Sequence, residues 1–85
     1  MANKRQLKKL LKDMVYDVMD ECDYVIVSNG KGAPDAEKLM DETVDFYEVI
    51  IPKISAAKNK KDFQPIQEEI AAKQVSFMNQ INKIN

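Results

Sequence analysis

Two rows of acids are the first residues whose type and spacing suggest chemistry. Asp13, Asp17 and Glu21 recur every four residues, and Glu37, Asp41 and Asp45 do the same further along. On helices each row lines one face, and two such faces turned toward each other would offer oxygen ligands to a hard cation such as calcium or magnesium. The chain has no histidine, so the Glu-x-x-His signature of a di-metal helical bundle cannot form. No segment has the calcium-loop spacing of acids around a central glycine. A solvated acidic surface accounts for both rows equally well. No metal ligand, catalytic residue or cofactor-binding residue is assigned, and no cofactor is expected.

Other reactive types lead no further. Cys22 stands between Glu21 and Asp23, and both burial and neighbouring carboxylates raise a thiol's pKa, which opposes a nucleophilic role. Asn29-Gly30-Lys31-Gly32 lacks the Gly-x-x-x-x-Gly-Lys-Ser/Thr spacing of a phosphate loop and reads as a helix stop. Tyr16, Tyr24 and Tyr47 fall at helical spacing, where tyrosines turn an apolar body inward and a hydroxyl to the rim. With no nucleophile–base pair legible, the chain is expected not to be an enzyme.

The positive charges are more informative. Lys4, Arg5, Lys8, Lys9 and Lys12 crowd the start of the chain, and Lys53, Lys58, Lys60 and Lys61 cluster later. These nine are the candidate contacts for an anion or an acidic partner. A net charge of −1, a pI near 5.4 and the lack of a recognition-helix or stacking-aromatic signature argue against nucleic acid as that partner.

The elements that position these residues are helices. In 85 residues, 45% of them apolar and 32% charged, there is one domain's worth of chain and too much apolar content for a disordered tail. Leu7, Leu11, Met14, Val18, Cys22 and Val25 step by three and four and predict a helix over 4–28, widened by Leu10, Val15, Met19 and Ile26. Pro34, Asp35 and Glu37 open a second helix over 34–57, since a proline and acids suit a first turn. Its expected stripe is Ala36, Met40, Thr43, Tyr47, Ile50 and Ile54, and Pro52 should kink it or end it early. Asp62 is the expected cap of a third helix over 63–83, with Pro65 in its first turn. Phe63, Ile66, Ile70, Phe77, Ile81 and Ile84 form its stripe, interrupted by Gln74.

Three such helices with short connections predict an all-α fold, an up-down-up antiparallel three-helix bundle occupying 1–85 as a single domain. Leu10, Phe46, Val49 and Ile51, with Val27, exceed what one core can hold, and the first four are the candidates for self-association as a homodimer. Antiparallel packing of the first two helices also gathers bases at one end of the molecule and acids at the other. The basic stretch Met1–Arg5 resembles a signal-peptide n-region, but Lys8, Lys9, Lys12 and Asp13 interrupt the apolar run that would have to follow. The longest apolar run, Tyr24–Val27, is far short of the ~20 residues that span a bilayer. One cysteine fits a reducing compartment. The expected setting is the cytoplasm, with no membrane contact.

Lys4-Arg5-Gln6-Leu7-Lys8-Lys9-Leu10, followed by Asp20-Glu21-Cys22 and Asn29-Gly30-Lys31, resembles a group of small uncharacterised bacterial proteins over about the first third of the chain. The resemblance implies a helical fold and brings no assigned activity and no functional residue. What remains is a small non-enzymatic protein-interaction module with an unidentified protein partner, or, alternatively, an anion-binding accessory protein working through its lysine-rich end.

Overall fold

The computed structural model describes residues 3–29 and 31–84, which form three helices: α1 (Lys4–Asn29), α2 (Ala33–Ala56) and α3 (Lys60–Ile84). Each begins where a side chain or a short turn can take up its free backbone donors. Asn3 caps α1, its side-chain oxygen accepting from the Gln6 N–H at 2.9 Å and its carbonyl from the Leu7 N–H at 2.9 Å. At α2 the Gly32 carbonyl accepts from the Ala36 N–H at 2.9 Å, and Pro34 sits in the first turn as expected. The Val25–Val27 stretch is the last full turn of α1, and no strand occurs among the described residues.

Three contacts fix the directions. The Lys4 ammonium donates to the Ser55 carbonyl at 2.9 Å, bringing the start of α1 to the end of α2. Gly32, before α2, lies against Val25 near the end of α1 and Ile84 at the end of α3. α1 and α3 therefore run parallel, with α2 antiparallel to both. The result is an up-down-up three-helix bundle with extents of 45 × 18 × 14 Å.

The core is one thin layer along the bundle axis. α1 contributes Leu7, Leu11, Met14, Val18, Cys22 and Val25, the stripe its spacing predicts. α2 differs from expectation. Its buried set is Ala36, Leu39, Thr43, Phe46, Ile50 and Ile54, while Met40 and Tyr47 are half-buried on the flank. The helix is rotated toward α3 because it must meet two neighbours, and Phe46 makes the contact: its ring lies edge-on to Phe77, centroids 6.1 Å apart at 82°. The Lys73 ammonium caps that pair, 5.9 Å from the Phe46 centroid and 5.5 Å from that of Phe77. On the same seam Lys53 and Glu69 form the single ion pair among the described residues, at 3.3 Å. Thr43, fully buried, donates its hydroxyl to the Leu39 carbonyl at 2.7 Å, so its polarity is satisfied within the helix. Gln74 is half-buried, and no buried side-chain nitrogen or oxygen among the described residues lacks a partner.

Three local expectations need correction. α3 starts at Lys60, not at residue 63, because Asn59 is the better-placed cap: its side chain accepts from the Lys61 N–H at 3.0 Å. Asp62 lies inside the helix and reaches back to the Lys58 N–H at 2.9 Å. This leaves Pro65 beyond the first turn, where it withholds a bond from the Lys61 carbonyl. Pro52 does not end α2, which runs on to Ala56. Pro52 and Glu48, whose carbonyl it frees, are both exposed, so water can replace the missing donor. In the stop segment Gly30 lies outside the described residues. Gly32 is right-handed, with φ −85° and ψ −2°, so backbone freedom is not its role. Its role is space.

A Cβ on Gly32 would stand 2.5 Å from Ile84 Cγ2 and 2.9 Å from Val25 Cγ1, both branched methyls close to their own backbones. Gly32→Ala is therefore expected to destabilise the bundle by about 1–3 kcal/mol through overpacking, despite alanine's smaller unfolded-state entropy. Urea unfolding followed by circular dichroism measures this, and an alanine variant as stable as the parent would contradict the close approach.

Candidate interaction surface

Antiparallel packing assembles the candidate residues into ends rather than a cleft. Lys4, Arg5, Lys8, Lys9 and Lys12 project from the first half of α1 and are all exposed. Lys53, at the end of α2, and Lys58, Lys60 and Lys61, around the α2–α3 connection, lie at the same end and are exposed too. Two of the nine are engaged: Lys4 on the Ser55 carbonyl and Lys53 on Glu69. Asp62, the acid nearest this end, spends its carboxylate on a backbone N–H. The starts of α1 and α3, the positive ends of their dipoles, also lie here, so Lys4, Arg5, Lys60 and Lys61 stand in first turns, where a helix prefers acids. α1 has no acid in its first turn and no base in its last. Lys4 also meets the negative end of α2, where Lys53 stands in the last turn.

The opposite end is less pure. Asp20, Glu21 and Asp23 on α1 and Asp35, Glu37, Asp41 and Glu42 on α2 gather there, but Lys38 and Lys83 line the α2–α3 groove beside Asp35 and Glu42. The two acidic rows do not face each other. At 100° per residue, Asp13, Asp17 and Glu21 fall on the Leu10 flank of α1, whereas α2 meets the Lys12–Val15 flank. No three metal-binding side chains converge among the described residues.

The residues singled out for self-association separate. Phe46 is 8% exposed and committed to Phe77, and Leu10 and Ile51 are half-buried against the core. Val49 is exposed at 55%, in a shallow α2–α3 groove beside Phe46 and Lys73. Val27, the fifth surplus residue, is 80% exposed.

Sequence reasoning missed a different surface. Between α1 and α2, Val15 and Tyr16 face Val44 and Tyr47 across an apolar recess of about 150 Å³, with Lys12 at its edge. Tyr16 stands 63% exposed and Val44 40%, well beyond a rim tyrosine that turns its body inward. The available signal was Val44, an apolar residue off the α2 stripe, placed opposite Val15 once the helices are antiparallel.

Cys22 is buried at the core, and burial first, with the Glu21 carboxylate second, pushes its thiol above the usual range. Above the ordinary thiol pKa the unfolded chain would lose a proton that the folded chain keeps, so this group's contribution to stability falls as pH rises through the alkaline range. Alkylation by iodoacetamide at mildly alkaline pH is expected to proceed only through unfolding, far more slowly than in urea. Labelling at the rate of a free thiol would show the site to be open. No helix among the described residues is long and apolar enough to cross a membrane. No protein-family model, curated protein or solved structure matches this chain.

Proposed function

We propose that this chain is a small non-enzymatic protein-interaction module, working through the outer α1–α2 face. One observation carries the reading: the Val15–Tyr16–Val44–Tyr47 recess leaves apolar surface open beside charges that make no ion pair among the described residues. Exposed aromatics set in a charged surround are the composition of contact surfaces, where a few anchors supply most of the binding energy. A lone buried thiol suits a reducing compartment, which supports a cytoplasmic setting.

The test is retention of a partner by the immobilised full chain from an extract of its own source, compared with Tyr16→Asp and Val44→Asp variants. Both positions are exposed, so the variants are expected to stay folded. The expected result is a protein held by the parent and lost from both variants. Equal retention by all three would remove this face from the function.

A second reading has its own observation, the unpaired lysines at the starts of α1 and α3. They support contact with a polyanion, in which each neutralised phosphate releases counterions. Titration with inorganic polyphosphate at low salt is expected to give binding whose logarithm falls linearly with the logarithm of salt. A Lys8→Gln/Lys9→Gln/Lys12→Gln variant should lower that slope by about 3, one for each lysine removed. No binding at low salt would end this reading.

A further inference from the structure

The exposed back of α1 carries a pattern whose side chains make no hydrogen bond or ion pair among the described residues, with Tyr16 and Lys12 alone reaching the recess toward α2. Arg5, Lys9, Lys12, Tyr16, Asp20, Asp23 and Val27 step by four, three, four, four, three and four, so they share one face, and every one of them is exposed. The three bases precede Tyr16, and the two acids follow it. The spacing is symmetric about Tyr16: Lys12 and Asp20 are four residues away on either side, Lys9 and Asp23 seven, Arg5 and Val27 eleven. A face whose charges reverse sign about its midpoint is complementary to itself turned end for end.

We propose that a second copy of this chain docks on this face, α1 against α1, antiparallel, about a two-fold axis at Tyr16. In that register each Lys12 faces the partner's Asp20 and each Lys9 the partner's Asp23. The two Tyr16 rings meet at the axis, beside the apolar recess with Val44 and Tyr47. Arg5 lays its aliphatic stem on the partner's Val27. The arrangement is isologous and closed, so it stops at two copies; stacking of basic ends on acidic ends would build open chains. It also relieves the charge order that α1 holds against its own dipole, because the negative end of the partner's α1 comes to rest on the lysines. The contact has few apolar anchors and several exposed ion pairs, which makes a weak dimer dependent on low salt.

The proposal rests on the reading of this chain as an interaction module and supplies the partner for the same face. The experiment is sedimentation equilibrium of the full chain over a concentration series at low and high salt, with charge-reversed variants at exposed positions. The wild type is expected to dimerise at low salt and dissociate as salt rises. Lys12→Glu alone and Asp20→Lys alone should each raise the dimer dissociation constant about tenfold or more, since each turns both symmetry-related attractions into repulsions. An equimolar mixture of the two variants should form a dimer again, because every reversed charge then faces its opposite. Circular dichroism confirms that each variant is folded. A strictly monomeric wild type, a mixture that fails to pair, or growth beyond two copies would each overturn the proposal. A monomeric wild type that still retains a host protein through Tyr16 and Val44 would overturn the second copy alone and leave the module reading standing.

Discussion

Only three residues separate α1 from α2, and only three, 57–59, separate α2 from α3. Neither segment can travel the ~36 Å length of a 24-residue helix. Each helix must therefore turn back beside the one before it, and this constraint settles the rest of the structure. Antiparallel order brings Lys4 to the carbonyl end of α2, Gly32 between Val25 and Ile84, and Phe46 to Phe77. It lets three stripes, each open to water on an isolated helix, close on one another in a layer one side chain deep. With a single cysteine and, among the described residues, no polar network in the core, that layer and the caps at Asn3 and Asn59 hold the fold.

The same constraint creates the surface. A net charge of −1 suggests an electrically bland molecule, but the fold divides it into a lysine-rich end and a mainly acidic one. Most of these charges make no ion pair among the described residues. In α1 they run against the helix dipole, at a cost of a few tenths of a kcal/mol per charge in a small bundle whose margin is only several kcal/mol. Folding does not require that order, since the core stripe would form equally well with acids first. The charge layout is therefore best understood through what it meets outside the monomer, and its sign symmetry about Tyr16 supplies one such match within the chain's own sequence.

Much of the fold was legible in advance because it depends on periodicity. The α1 stripe, the direction of the three helices and the place of the first connection follow from steps of three and four and from Pro34 and Gly32, while the second connection is shorter than the polar run Lys58–Lys61 suggests. The errors arise where two local signals compete. Asn59 and Asp62 both suit a helix start, and Asn59 wins because Asp62 can then serve the Lys58 N–H from inside the helix. Met40 and Tyr47 share a face with Ile50, as do Leu39 and Phe46, and only contact with α3 decides which pair is buried. The lysine clusters were readable along the chain, and antiparallel order joins them into one end. The α1–α2 recess was not, because it exists only between two helices, and Val15 or Val44 alone is an ordinary apolar residue on a helix flank.

If the charge layout serves external contacts and not the fold, the isolated monomer should gain stability from added salt. Urea unfolding at high dilution, from about 0.01 M to about 1 M sodium chloride, shortens the screening length from ~30 Å to ~3 Å and reads this directly. The expected result is a midpoint that rises as like charges at each end, and charges set against the dipoles, are screened. A midpoint that falls steadily with salt would mean that the charges hold the monomer together, and would contradict the account.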